Sequence, residues 1–248
     1  MRAHLAAIGT LVLMHAAGAQ AGSIVGGSSL LSLSDVSQLE TWLGEGMLTL
    51  TNVYTKAPGH TSNTFHNAVD GVGRTFVVIE VIGGDGYTGP VQTIGGYNPQ
   101  SWGSFGDYNL TPSVAEMNAF IFNLTRTVKQ EQVNQYQTMN FRPYGPTFGG
   151  GHDIFVNGAL DGGGVLNQSY CPPGSPKPSF CVVGADILGL SVPGYQDIDI
   201  GRLEVFTISP YVVPEPAPAL LVGLGLAGLA AARRRRRSCP HPPRAMHT

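Results

Sequence analysis

Thr75-Phe-Val-Val-Ile-Glu-Val-Ile82 is an apolar run rich in β-branched residues, the composition of a strand buried in a core. Before it, Met47 to Tyr54 alternates as a strand does, and further strands are expected at Val91–Tyr97, Ala119–Leu124, His152–Val156 and Arg202–Ile208. Two short helices fit between them. One covers Asp35 to Leu43, with Val36, Leu39 and Leu43 at spacings of three and four behind Ser34 as N-cap. The other begins behind Thr61 or Ser62, carries Phe65, His66 and Val69, and stops at Gly71. Strands outnumber helices and loops rich in Gly and Pro separate them, so the expected class is mainly β: an antiparallel β-sandwich with a few short peripheral helices.

Composition agrees with one globular domain. Of 248 residues, 34 are Gly and 18 are Pro, which argues against a helical bundle. Charged residues make up 12% against the roughly 25% usual for soluble domains, while 42% are hydrophobic, enough to bury a core. The net charge of −2 conceals an asymmetry. Between Gly22 and Val213 there are seven basic residues against 15 acidic ones, a balance of −8. A body of that charge has no basic face to track phosphates, so no nucleic-acid partner is expected.

Both ends carry targeting patterns. Residues 1–21 run from Met1-Arg2 through an apolar stretch to Ala19-Gln20-Ala21, the order of a secretory signal peptide cleaved after Ala21. Residues 22–33 are expected as a flexible lead-in to a domain spanning 34–212. Then come Val213-Pro214-Glu215-Pro216, an apolar run, and Arg233, Arg234, Arg235, Arg236 and Arg237. Ala219 to Ala232 is 14 residues, which at about 1.5 Å each reach about 21 Å, short of a hydrocarbon core of about 30 Å. Snorkelling arginines lengthen the reach and orient the segment with its far end in the cytoplasm. The string Gly223-Leu-Gly225-Leu-Ala-Gly228 lies inside this run without the strand and acidic residue that dinucleotide binding needs.

This tripartite end, residues 213–237, resembles the PEP-CTERM sorting signal of Gram-negative bacteria. The resemblance implies an exosortase-type transpeptidase as partner. It also implies a precursor held in the inner membrane and a mature product at the cell surface or outside the cell, with an envelope protein or an exopolysaccharide as its neighbour there. Residues 238–248 are expected as a disordered tail.

The body carries an ordered series of motifs: Thr64-Phe65-His66 with Asp70-Gly71, Gly95-Gly96-Tyr97 with Ser101-Trp102, and Asn118-Ala119-Phe120-Ile121-Phe122. Tyr144-Gly145-Pro146 follows, then Phe148-Gly149-Gly150-Gly151-His152-Asp153, and last Leu203-Glu204-Val205-Phe206. From about Leu33 to Ser209 this series resembles the TLDc domain. The resemblance implies a β-sandwich flanked by helices. Eukaryotic members are linked to oxidation resistance and to the vacuolar-type proton pump, a partner that an exported bacterial chain does not meet. Relative to the family pattern, Cys171 to Cys181 looks like an insertion.

Catalytic patterns are sparse. His60, His66 and His152 are the only histidines of the body, and there is no H-E-x-x-H, paired C-x-x-C or G-x-S-x-G, so no metal or other cofactor is expected. Gly149, Gly150, Gly151, His152, Asp153 and Trp102 are read as structural: the glycines allow close backbone approach, and His152 and Asp153 make fixed hydrogen bonds. Trp102, Tyr97 and Phe105 beside glycines are read as packing around turns rather than as a sugar platform. Cys171 and Cys181 enclose a nine-residue loop and are expected to be bonded to each other in an exported protein. The expected function is that of a non-catalytic, exported envelope or matrix protein. The alternative is a secreted carbohydrate-active enzyme using paired carboxylates, drawn from Asp70, Asp153 or Glu204.

Overall fold

The computed structural model describes residues 22–181, 184–191 and 194–212. The signal peptide expected at 1–21, and the sorting segment and tail expected at 213–248, lie outside the described residues. Among the described residues no helix is long and apolar enough to cross a membrane.

In chain order the elements are β1 (Ser23–Val25), α1 (Leu33–Leu43), β2 (Leu48–Thr55), α2 (Ser62–Val69), β3 (Thr75–Gly83), β4 (Gln92–Asn98) and β5 (Asp107–Leu110). A 3₁₀ turn at Val114–Glu116 follows, then β6 (Phe120–Asn123), β7 (Val128–Gln132), β8 (Tyr136–Asn140), β9 (Ile154–Val156), β10 (Gly162–Val165), β11 (Tyr170–Cys171) and β12 (Gln196–Pro210). Ten strands form one sheet in the order β1-β2-β12-β3-β4-β6-β7-β11. Strand β12 is long enough to fork it: its first half pairs with β10, which pairs with β9, while its second half pairs with β2. Strands β5 and β8 make a separate ribbon. The described residues are mainly β with two short α-helices, the class expected for the body of the chain. The sheet is mixed rather than purely antiparallel, because β1 lies parallel to β2.

The sheet is covered on both faces, and this explains the run at Thr75. Along β3, Val77, Ile79 and Val81 enter one apolar core with Phe65 and Val69 of α2, while Phe76 and Val78 enter a second with Val36 and Leu39 of α1. A strand with two apolar faces has no polar alternation to show. On the second face Phe76, Tyr97 and Phe120 stand directly opposite one another across three strands, with ring centroids 5.5 and 5.3 Å apart. Burying a ring of that size is worth about 1.5–3 kcal/mol. In β2 the pairing with β12 skips Val53, since Val205 opposes Tyr54 and Phe206 opposes Asn52. That bulge reverses the side-chain parity, so Leu48 and Leu50 join one core and Tyr54 the other.

Local differences from the sequence reading have identifiable causes. Helix α1 is capped by Ser32, not Ser34, because Asp35 at the third position closes a capping box: its carboxylate accepts from the Ser32 N–H at 2.8 Å. Residues 22–33, expected as a flexible lead-in, contribute β1 and a tight contact instead: the Ser29 N–H donates to the buried Glu204 carboxylate at 2.8 Å, and the Ser29 hydroxyl does so too. Strand β9 starts at Ile154 rather than His152, because His152 takes a left-handed φ of 62° in the preceding turn.

Candidate functional site

The motif pieces that lie far apart in the chain meet in one buried aromatic series. Phe65 of α2 meets Trp102 edge-on at 5.5 Å, Trp102 meets Phe148 edge-on at 5.5 Å, and Phe148 meets Tyr170 at 6.3 Å. The Trp102 indole N–H donates to Thr75 Oγ1 at 2.9 Å, so its one polar atom is satisfied at 2% exposure. Gly96 makes room for this stack, since a Cβ there would sit 2.5 Å from the Phe148 ring. These residues pack the domain and present no group to solvent.

Just after Phe148 the chain turns sharply. Gly149 has a φ of 83°, and Gly150 and Gly151 have ordinary φ but no space: a Cβ on Gly150 would meet the Tyr136 ring at 2.7 Å, and one on Gly151 would strike the Gln168 side chain. The turn delivers Asp153, fully buried, to the segment before the disulfide. Its Oδ1 accepts from the backbone N–H of Gln168 and Ser169 at 2.8 Å and of Tyr170 at 3.0 Å, and its Oδ2 accepts from Ser169 at 2.9 Å. Burial pushes the Asp153 carboxyl up to about 6, while those N–H donors act the other way. His152 stacks on Phe155 at 5.4 Å, and burial lowers its pKa.

The other candidate acids and histidines are engaged separately. His66 Nδ1 faces Asp70 Oδ1 at 2.8 Å and its Nε2 faces the Tyr144 carbonyl at 3.1 Å, while the Ser104 hydroxyl donates to Asp70, not to His66. A nucleophilic triad needs the hydroxyl on the imidazole, so this trio ties α2 to two loops and does not activate Ser104. His60 Nδ1 accepts from the Ala57 N–H at 3.2 Å. Glu204 binds Ser28 and Ser29. The three acids of the paired-carboxylate alternative thus have three different sets of partners. Among the described residues no group of three His, Cys, Asp or Glu is placed to hold a metal ion.

Cys171 and Cys181 are bonded, with Cα atoms 5.7 Å apart. Their loop carries Lys177 over a cavity of about 250 Å³ whose other walls include Trp42 at the end of α1, Tyr97, Phe120, Lys129 and Glu131. Nothing in the sequence reading pointed there. The available signals were weak ones: Trp42 is one of only two tryptophans, and Lys129 and Lys177 belong to the few basic residues of an acidic body.

No curated protein matches this chain. The model of the TLDc domain family matches residues 24–209, from the first strand to the end of the last and through the whole aromatic series of Phe65, Trp102 and Phe148. On that match, which covers most of its length, the chain belongs to the TLDc domain family.

Proposed function

We propose that this chain is an exported, transiently membrane-anchored protein of the cell envelope or extracellular matrix, whose TLDc domain binds or scaffolds without catalysis. In this reading residues 1–21 direct export, and Val213 to Pro216 present an extended peptide to an exosortase-type transpeptidase, since each proline keeps its neighbourhood out of a helix. Arg233 to Arg237 hold the far end of the apolar segment in the cytoplasm until the tail is cut. The observation that carries the proposal is the Cys171–Cys181 disulfide, which is the chemistry of an oxidising compartment. The separate engagement of Asp70, Asp153 and Glu204 supports the non-catalytic part.

Recovery of the protein from its native host, with mass determination of both ends, tests the reading. The expected product starts at Gly22 and lacks Arg233 to Arg237, and the same chain stays uncut in cells without an exosortase. A native product that retains the arginines refutes the sorting proposal.

A further inference from the structure

The cavity beneath the disulfide loop has the makings of a ligand site. At about 250 Å³ it falls below the roughly 300–1,000 Å³ of sites for drug-sized molecules, so it fits one small ring. Trp42 is the partly exposed aromatic of its wall, and Tyr97 and Phe120, each 3% exposed, back it. The charged groups of the lining are two lysines, Lys129 and Lys177, and two glutamates, Glu45 and Glu131. Glu45 is bonded by Arg74 at 2.7 Å, so the groups that face one another across the rest of the wall are Lys129, Lys177 and Glu131.

The pairing within that set is incomplete. Lys129 Nζ lies 3.0 Å from Glu131, but Lys177 Nζ lies 3.8 Å from the other Glu131 oxygen, too far for a hydrogen bond. Its distance to the Met117 carbonyl is 3.4 Å, a weak contact. Lys177 therefore keeps donor capacity and Glu131 keeps acceptor capacity, in a cavity that Trp42 also lines. A hydroxyl is the group that accepts from one and donates to the other. A molecule with one apolar face and several such hydroxyls is a pyranose.

We propose that this cavity binds a single neutral pyranose residue, stacked on Trp42 and hydrogen-bonded by Glu131, Lys129 and Lys177. The disulfide holds the loop that carries Lys177, so the wall is organised before the ligand arrives. This inference deepens the matrix reading by naming a ligand class, and it rests on that reading only for the biological source of the sugar.

The test uses the full chain in a detergent without a sugar headgroup, with glucose, galactose, mannose and N-acetylglucosamine as probes. Saturation-transfer NMR reads binding directly. Tryptophan emission reads Trp42, because Trp102 is buried and bonded to Thr75. The expected result is a saturable response to at least one sugar at about millimolar concentration. Trp42→Ala abolishes it, and Glu131→Gln and Lys177→Met each weaken it about tenfold or more. An unchanged far-ultraviolet circular dichroism spectrum and a cooperative urea-unfolding transition certify that the variants are folded. No saturable response from any probe up to about 50 mM overturns the inference. So does a response that survives both charge variants, or saturation by acetate or phosphate in place of the sugars. Failure of sugar binding leaves the processing experiment untouched, and a failed processing experiment leaves this binding intact.

Discussion

Removing the Asp153 side chain tests the account of the turn most directly. In Asp153→Ala the backbone N–H groups of Gln168, Ser169 and Tyr170 lose their acceptor in a site with no exposed surface. An unsatisfied buried donor costs about 1–3 kcal/mol, and allowing for water entry the three together cost about 3–5 kcal/mol. Asp153→Asn keeps an oxygen for most of these donors and costs less, but it removes the titration. The folded carboxyl titrates at about 6 against an ordinary value of 3.8. A raised acid binds its proton more tightly when folded, so its contribution is fully present below 3.8 and is lost as pH rises through about 6. At about 1.4 kcal/mol per pH unit, that loss is about 3 kcal/mol. The assay is urea unfolding with the disulfide intact, from pH 4 to 7, for wild type and both variants. Other groups titrate in this window, but they cancel in the difference between wild type and Asp153→Asn. That difference should slope by about 3 kcal/mol in the stated direction. A flat difference, or an Ala variant within about 1 kcal/mol of wild type, refutes the assigned role of Asp153.

Three further outcomes are expected. Thiol labelling of unfolded, unreduced protein should find Cys171 and Cys181 blocked, and reduction should cost about 2–3 kcal/mol of stability; labelling of both cysteines would contradict the disulfide. Gly149→Ala should destabilise by at least about 1 kcal/mol in thermal unfolding, because φ is 83° and the new methyl meets the Asp153 carboxylate; an unchanged midpoint rules this out. Trp102→Ala should cost about 3–5 kcal/mol, whereas Trp42→Ala at the partly exposed end of α1 should cost much less; equal losses would show that the two tryptophans are not placed as described.

Strands β3 and β6 were legible in the chain because both of their faces are apolar, and so were the two helices, whose spacing and polar caps are local features. Strands β5, β7 and β8 were not. Val128-Lys-Gln-Glu-Gln132 and Tyr136-Gln-Thr-Met-Asn140 read as polar segments, yet Gln130, Gln132, Gln137 and Asn140 are buried. Gln130 donates to the Ala185 carbonyl and Gln132 to Thr111, while Gln137 bonds Asn98 and Asn140 accepts from the Gly103 N–H. No window of sequence contains both halves of such pairs.

The same distinction separates the candidate residues. The amino-acid sequence alone determined the mainly β class, the family resemblance and the Cys171–Cys181 pair, because each depends on residue type, periodicity or short spacing. The tertiary structure decided that Asp153 is bound by residues 168–170, and that His66, Asp70 and Ser104 lock a helix to its loops. It also decided that Trp42, Glu131 and Lys177 share one cavity. A buried carboxylate, an imidazole or an ammonium takes its role from whichever groups the folded chain brings within hydrogen-bonding distance, and those partners lie up to 176 positions away here, as Ser28 does from Glu204.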